Sequence, residues 1–387
     1  MCLEYTEKQK RFRAQVREWL AEHVPREPLK SFDTEEGFAQ HRAWERELST
    51  VGYSAVTWPK EVGGCGTDLI EWLIFEEEYW AAGAPLRVNQ NGIFLLAPTL
   101  MEYGTQEQKR SILPKMASAE HVWAQAWSEP GAGSDMAAIR SKARREGDHY
   151  VISGQKTWST RAVYADWAFG LFRTEEGSQR HHGLTFILFP LNLPGITRRP
   201  IRQLNGLPGF AEIYLDEVRV PVGNRLGDEG AGWSIAMATA GFERGLMLRS
   251  PARFQQTARL LADLLRRNPE RAAADPSLRD AVVESWMGAE AYTLATYRTA
   301  CRLAKGGSIG AEASTNKIFW SELDLHMHET AMRILGTRGE LMPEAPDAAG
   351  AGNWLDGFLF AQAGPIYAGT NEIQRNIIAE RMLGLPR

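Results

Sequence analysis

A glycine-containing stretch, SEPGAGSD at residues 128–135, carries residue types that can bind an anion. It follows the apolar run HVWAQAW, whose β-branched and aromatic content predicts a strand. Gly131 and Gly133 allow the backbone to turn tightly and to present N–H groups to a phosphate. The motif alone does not separate a phosphate-binding loop from an ordinary tight turn. A Rossmann turn is not predicted, because residue 136 is Met and a second hairpin pattern follows instead of a helix.

Three other stretches contain residues that could complete a site. GQKTWST at residues 154–160 ends a long predicted strand, and GFERG places Glu243 and Arg244 on a predicted helix. A Glu–Arg pair on a helix is commonly a solvated charge pair. The tail IYAGTNEIQRNIIAERMLG, residues 366–384, has a Gly-Thr turn and then apolar residues at helical spacing. Ala368, just before that turn, cannot accept a proton.

Other kinds of catalytic site lack their residues. His326 and His328 are two positions apart on a predicted helix, so they face different directions and do not form the i, i+4 pair of a zinc helix. His181 and His182 lie in a polar turn. The three cysteines are scattered, and no G-x-S-x-G or GxxxxGK[ST] motif occurs. We therefore expect no metal site.

The elements that must position these residues fall into three segments. Residues 1–120 are predicted to be mainly helical, 121–229 contain short β-branched and aromatic runs typical of a sandwich or barrel, and 230–387 return to helical periodicity. In the last segment, apolar residues recur at steps of three and four from Leu278 to Tyr292 and from Phe319 to Ile334. Pro251 is predicted to interrupt or restart a helix.

Composition and charge favour a globular protein that binds neither nucleic acid nor a membrane. The chain has 387 residues, 44% hydrophobic and 24% charged, which is typical of a globular protein of two or three units. A net charge of −4 with both signs interspersed gives no basic surface for nucleic acid or an anionic membrane. The first twenty residues form a polar amphipathic pattern without a signal-peptide core, and no apolar run would span a membrane. We expect a cytoplasmic protein.

Taken together, SEPGAGSD, GQKTWST and the tail, in this order, resemble the acyl-CoA dehydrogenase family of flavoproteins. WPKEVGGCG and FAEIYLDEVRVP are similar to further family stretches, so the resemblance covers nearly the whole chain. It implies an α+β fold with an N-terminal helical domain (1–120), a middle β-sandwich or barrel domain (121–229) and a C-terminal four-helix bundle (230–387). It also implies FAD as cofactor and α,β-dehydrogenation of an acyl-CoA or acyl-carrier thioester.

The resemblance implies which residues contact the flavin. The loop after the first strand and the end of GQKTWST wall the isoalloxazine and the pyrophosphate, and the tail reaches the flavin of the same or a neighbouring subunit. Carried onto this sequence, the cofactor-binding residues are Gln125, Trp127, Ser128, Gly133, Ser134, Trp158, Thr160, Gly336, Thr370 and Glu372. Trp127 is bulkier than the residue of many relatives and is expected to reshape the acyl pocket.

The resemblance also implies where the catalytic base lies. Many relatives carry a glutamate just before the tail Gly-Thr, where this chain has Ala368. Isovaleryl- and long-chain-type relatives use a glutamate followed by arginine on the first long helix of the bundle, which matches Glu243 and Arg244. We expect Glu243 to be the base and the Ala368 N–H to bind the thioester oxygen. Arg244, Tyr367 and Gly369 are expected to contact the substrate.

Partners follow from the same resemblance. An electron-transferring flavoprotein is the expected electron acceptor, and a homo-oligomer, tetramer or dimer, is the expected assembly. Two alternatives remain open: a catalytically degenerate subunit of a heteromeric enzyme, and an oxidase on the same fold. The acyl group is not indicated.

Overall fold

The computed structural model describes residues 4–243, 249–343, 345, 348 and 351–386, and at 242, 243, 351 and 352 the backbone alone. The α-helices in chain order are α1 (Glu7–His23), α2 (Glu35–Ser49), α3 (Leu69–Ala81), α4 (Ala97–Tyr103), α5 (Gln106–Ala117), α6 (Gly232–Glu243), α7 (Pro251–Arg266), α8 (Pro269–Ala274), α9 (Ser277–Ala304), α10 (Ala313–Leu335), α11 (Ala351–Ala361) and α12 (Asn371–Arg381). The strands are β1 (Trp123–Ala126), β2 (Lys142–Glu146), β3 (His149–Thr160), β4 (Trp167–Arg173), β5 (Leu184–Pro190), β6 (Ile196–Ile201), β7 (Phe210–Pro221) and β8 (Arg225–Leu226).

The chain folds into two compact units, each built from separate pieces of sequence. The described parts of Met1–Val24, Asp68–Ala84 and Arg244–Arg387 form a helical unit, whereas Pro25–Thr67 and Pro85–Glu243 form a sheet-containing unit. The fold class expected from the sequence is therefore confirmed, with helical N- and C-terminal regions around a middle sheet. The segment boundaries 1–120, 121–229 and 230–387 stay a prediction.

The sheet-containing unit is organised around one eight-stranded sheet. Its strand order is β6-β7-β3-β2-β4-β5-β8, and β1 pairs in parallel with β4. Inward-facing side chains of these strands, such as Tyr150, Phe172 and Phe189, are fully buried. Burying one such side chain contributes roughly 1.5–3 kcal/mol. The β-branched and aromatic runs predicted within residues 121–229 coincide with β1, β3, β4, β5 and β7, whereas β2, β6 and β8 are short or polar and carry no such run.

The helical unit buries the faces of α7, α9 and α10 against one another. Leu278, Val282, Ala289 and Tyr292 of α9 lie in that core as expected, but the predicted core position Trp286 is 41% exposed. The buried stripe of α9 passes through Ser285 instead, because one helical turn advances by 3.6 residues and not by four. Phe319 of α10 is likewise exposed, whereas the residues from Leu323 to Ile334 that follow it in the pattern are buried.

Local sequence explains where several helices begin. Thr6, Asp68 and Thr105 each cap a helix and form a reciprocal capping box with the third helical residue. Ser250 caps α7, and Pro251 takes its first position, as the sequence predicted for a helix restarting at this proline. Within the described residues, no helix is long and apolar enough to cross a membrane.

Candidate active site

The end of β1 leads directly into the glycine-containing loop. Gln125 pairs with Phe169 of β4 in the strand register, and its buried Nε2 has no hydrogen-bond partner in the described part of the chain. A buried amide without a partner costs roughly 1–3 kcal/mol. The Trp127 ring is buried and meets Phe169 and Phe186 edge-on, at centroid distances of 6.3 and 6.4 Å. The unpartnered amide of Gln125 is therefore available to a ligand atom.

The loop after β1, residues 128–135, has open space next to its two glycines. Glu129 and Ala132 exchange two backbone hydrogen bonds of 3.0 Å, which close a tight turn. A Cβ atom added at Gly131 or Gly133 would meet nothing within 4 Å, and neither glycine has a left-handed φ. The glycines thus serve close approach from outside and not an unusual turn. Ser134 is exposed beside Gly133, so the loop offers a bare backbone surface.

The end of β3 presents a tryptophan in an unusual conformation. Between Lys156 and Ser159 the register with β7 slips, so that β3 carries one extra residue, a β-bulge. Trp158 lies in this bulge with φ +58°, which is rare for a bulky residue, and its side chain is 60% exposed. Phe210 supports one ring edge at 5.9 Å. The bulge aims a large aromatic face outward, and Thr160, partly exposed, ends the same strand.

Two charged residues that the sequence analysis missed join the loop to β3. Lys156 is fully buried, and its ammonium donates to Glu129 Oε1 at 2.8 Å, the Leu171 carbonyl at 2.7 Å and the Trp127 carbonyl at 3.4 Å. Burial lowers the pKa of Lys156 to about 8, although Glu129 opposes that shift. Strand alternation was the available signal: Lys156 falls on the same side of β3 as the core residue Tyr150. A lysine on that side requires a buried anion.

The tail forms a second unusual turn, in the helical unit. Ala368 has φ +57° and Gly369 φ +74°, and Gln374 Nε2 donates to the carbonyls of both, at 2.9 and 3.2 Å. A Cβ atom on Gly369 would come within 2.6 Å of that nitrogen, so only glycine fits. Within the described residues, no group accepts a hydrogen bond from the Ala368 N–H. This amide is available to a ligand.

The other described site residues predicted in the helical unit are Gly336, Tyr367, Thr370 and Glu372, and their local contacts differ. Thr370 caps α12 by accepting from the Ile373 N–H at 3.3 Å. Glu372 is exposed in the first turn of α12, and hydrogen bonds from its own N–H and from Thr370 hold the pKa of its carboxyl below the usual range. The Tyr367 hydroxyl is buried without a described partner, and Gly336 ends α10 with φ +57°.

The expected base falls at the limit of the described residues. Glu243 is the last residue of α6, and its side chain lies outside the description, as does the whole of Arg244. The helix that carries Glu243 is tied to α4 by a buried hydrogen bond of 2.9 Å between the Thr239 and Thr99 hydroxyls. This hydrogen bond joins α6 to α4 one turn before the glutamate.

The described histidine and cysteine residues add no further site. His181 and His182 are exposed, and His328 lies buried beside Asp324, within 3.4 Å of its carboxylate. In the described part of the chain, no group of three His, Cys, Asp or Glu residues could hold a metal ion.

Family models match most of the chain in order. Residues 6–120 match the N-terminal domain of acyl-CoA dehydrogenase, 124–218 the middle domain and 230–383 the C-terminal domain. The chain belongs to the acyl-CoA dehydrogenase family. The acyl-CoA dehydrogenase IpdE1 of Mycobacterium tuberculosis (strain ATCC 25618 / H37Rv) is 40% identical over 386 residues, covering 97% of each chain. FadE26 of the same strain is 33% identical over 406 residues, with 100% of this chain and 99% of the relative covered.

Solved structures of the family share the fold over the full chain. A steroid ACAD described as Tcur3481-Tcur3483 superposes with a TM-score of 0.87 at 28% identity, covering 100% of both chains. The ChsE4-ChsE5 complex of M. tuberculosis gives a TM-score of 0.86 at 32% identity, again with 100% of both chains covered. The expected family, fold and FAD dependence are thereby confirmed. The protein is an FAD-dependent oxidoreductase that acts on acyl thioesters.

The residues present in this acyl-CoA dehydrogenase fit a flavin. The sheet-containing unit offers an unpartnered amide at Gln125, a bare loop at Gly133 and an outward aromatic face at Trp158. A flat ring system with hydrogen-bonding edges and a pyrophosphate would satisfy all three features.

Proposed function

We propose that Glu243 is the base that removes the α-proton of the acyl thioester. The supporting observation is the tail: Ala368 stands where many relatives carry the base, and it contributes only a methyl group. A base for so weak an acid must be a close, desolvated carboxylate. Glu243 at the end of α6 is the carboxylate that the family resemblance offers instead. Arg244, next to it, is proposed to contact the acyl-CoA.

The turn before α12 is proposed to stabilise the developing enolate. As the α-proton leaves, negative charge grows on the thioester oxygen and requires a donor already in place. The Ala368 N–H is available for this role, and Gln374 fixes the turn that aims it. Tyr367 and Gly369 would line the substrate on either side. The alanine therefore keeps the backbone donor while the base comes from another helix.

The flavin is proposed to lie on the end of β3 and the loop after β1. FAD, when bound, accepts the β-hydride of the substrate at its N5 atom. Trp158 and Thr160 would form one wall and Gln125, Trp127 and Ser128 the other, with Gly133 and Ser134 at the phosphates. Thr370, Glu372 and Gly336 would contact the flavin of the same or a neighbouring subunit.

A second assembly is proposed as an alternative to the homotetramer. The two structural neighbours described above are named as pairs of different chains, which favours a heteromeric enzyme in which this chain is one subunit. Because one of them is described as a steroid ACAD, CoA thioesters of steroid-derived acids are the first substrates to be tried. An electron-transferring flavoprotein as acceptor and a cytoplasmic location remain predictions from the sequence.

The visible spectrum of the purified protein tests this proposal. We expect a yellow protein with about one FAD per chain, which is bleached by a suitable acyl-CoA in the absence of oxygen. A colourless chain that takes up FAD only after a second, different chain is added would favour the heteromer. A chain that stays colourless in both conditions would contradict the proposed flavin site. Hydrogen peroxide formation as fast as substrate oxidation would identify an oxidase.

A further inference from the structure

The buried Lys156 and Glu129 connect the glycine-containing loop and the ends of β1 and β3, which border the proposed flavin site, to β4 and to residues 140 and 141. The three N–H groups of the ammonium point to the loop (Glu129), the end of β1 (Trp127) and β4 (Leu171). The centroid of the Phe172 ring lies 4.8 Å from the ammonium nitrogen. The Glu129 carboxylate also accepts from the backbone N–H groups of Arg140 at 2.7 Å and Ser141 at 3.0 Å. The ammonium and the carboxylate therefore each form hydrogen bonds to three protein groups.

The Lys156–Glu129 pair lies where two features that face the proposed ligand begin. These are the glycine-containing loop and the β3 bulge. Lys156 is the last residue before the bulge that turns Trp158 outward. One residue later the Thr157 N–H donates to the Ser128 carbonyl at 2.8 Å, so the bulge is also tied to the start of the loop. A shift of the ammonium would move the Trp127 carbonyl, the loop and the bulge together.

Stability alone does not account for a charged pair at this position. A buried ion pair loses several kcal/mol per ion in desolvation, and apolar side chains of similar volume are often equally stable. What an ammonium provides and a leucine does not is three directed hydrogen bonds. We propose that Lys156 and Glu129 are positioning residues that hold the β1 end and the β3 bulge in the one geometry that binds the flavin. This inference rests on the proposed placement of the flavin at these strand ends.

A second buried pair in the same unit supplies a matched control. Arg87 donates to Glu45 at 2.6 Å, both side chains are almost fully buried, and Glu45 also accepts the Val88 N–H at 3.0 Å. Like Lys156, Arg87 donates to a backbone carbonyl, that of Ser54. This pair joins α2 to residues 54 and 87, none of which is among the residues proposed to contact the flavin. It should matter for stability and not for the flavin.

The experiment compares Lys156→Met/Glu129→Gln with Arg87→Met/Glu45→Gln in the FAD-loaded protein. Each double variant removes both charges and so leaves no unpaired buried ion. For the first, we expect the FAD dissociation constant to rise by about tenfold to a hundredfold, as is typical when residues that orient ligand-contacting groups are removed. The visible circular dichroism of the bound flavin should change as well. For the second, FAD affinity should stay within about twofold.

Two further variants make the outcome decisive. Lys156→Gln/Glu129→Gln also removes both charges but keeps an amide donor at residue 156, and it should show a smaller change of the same sign if the Met/Gln double variant does not fold. Trp158→Ala tests the placement of the flavin separately. If Trp158→Ala leaves FAD affinity unchanged, the proposed placement is wrong. If Trp158→Ala weakens FAD binding while the Lys156 variant matches the Arg87 control in affinity and dichroism, the pair is structural only and our inference is overturned.

Discussion

Among the described non-glycine residues with a left-handed φ, two are predicted site residues, and each lies in a turn. Trp158 in the β3 bulge has φ +58°, and Ala368 before α12 has φ +57°. For an L-residue this conformation costs about 1–2 kcal/mol. Such strain persists only where surrounding contacts impose it. The two turns differ in what they present: Trp158 exposes a side chain, whereas Ala368 presents its N–H.

The contacts that impose the two conformations also differ. The Trp158 turn is anchored by the ion pair between Lys156 and Glu129, whereas the Ala368 turn is anchored by the neutral amide of Gln374. A charged anchor responds to pH and tolerates no loss of one partner. An amide anchor has no charge to titrate, and losing it leaves no unpaired buried ion. The comparison predicts that the two turns fail under different perturbations, and the experiments below test this in order of expected effect.

The largest effect should come from Glu243→Gln. If the Ala368 turn supplies only a backbone donor, the proton acceptor must lie elsewhere, and the amide keeps the shape of Glu243 without accepting the proton. We expect FAD to remain bound and flavin reduction by acyl-CoA to slow by about 10²–10⁴-fold in anaerobic stopped-flow measurements.

Ala368→Glu in the Glu243→Gln background sharpens this result. Restoring a carboxylate at the tail should recover part of the rate, because relatives place the base at either position. Reduction of Glu243→Gln at the parent rate, by a substrate that the parent oxidises well, would leave the chain without an identified base.

A smaller effect is expected from Gln374→Leu, which removes the anchor of the Ala368 turn. Two hydrogen bonds to carbonyls are lost, each contributing about 1 kcal/mol. A misplaced donor should lower kcat/KM for the acyl-CoA by about tenfold to a hundredfold. FAD binding by the residues of the sheet-containing unit should change little.

The control for this variant is Arg375→Leu, on the next residue of α12. Arg375 is exposed and pairs with Glu322 at 2.7 Å, a contact of about 0–1 kcal/mol. Equal losses of kcat/KM in the two variants would mean that any change in α12, and not the turn, controls the site.

The motifs that resemble the family combine turn residues with strand ends, and the structure places them at such ends. The assignment of Gln125, Gly133 and Trp158 to one ligand comes from that resemblance and stays a prediction. The backbone conformation at Trp158 could not be predicted from the sequence in the same way. The bulge that turns Trp158 outward depends on a register slip between β3 and β7, which is a property of two strands and not of either sequence alone.

The polar anchors were missed for a related reason. Lys156 and Gln374 are both buried to 1% exposure or less, although their residue types are usually on the surface. For Lys156, strand alternation gave a usable signal. For α12, the apolar pattern predicted that Ile373, Ile377 and Ile378 would be buried. The buried residues of α12 are instead Asn371 and Gln374. A hydrophobic pattern does not reveal a polar residue that packs against carbonyl groups.

A pH series distinguishes the charged anchor from the neutral one. The pKa of Lys156 in the folded protein is about 8, below the ordinary 10.5, because burial disfavours its charged form. Between these values the unfolded chain binds more protons, so raising the pH favours the folded state through this group. Relative to Lys156→Met/Glu129→Gln, the parent should gain up to about 1.4 kcal/mol of unfolding free energy per pH unit above pH 8.

Urea denaturation near neutral pH and at about pH 9 measures this difference. The Gln374→Leu variant retains Lys156, so its stability relative to the parent should not depend on pH in this range. A constant difference between the parent and the Lys156 double variant at both pH values would show that Lys156 does not titrate as its burial predicts.

The smallest effect should come from Ala368→Gly, which separates backbone function from side-chain function in the tail turn. Glycine removes the left-handed strain, about 1–2 kcal/mol, but adds unfolded-state entropy worth about 0.4–1 kcal/mol. The net change in unfolding free energy should therefore be a gain of about 0–1.6 kcal/mol, and the N–H proposed to bind the thioester oxygen is kept. Flavin reduction should stay near the parent rate, because the methyl group has no part in the proposed chemistry. A large loss of rate without a loss of stability would mean that the Ala368 side chain itself shapes the substrate site, and that the two turns are more alike than their contacts indicate.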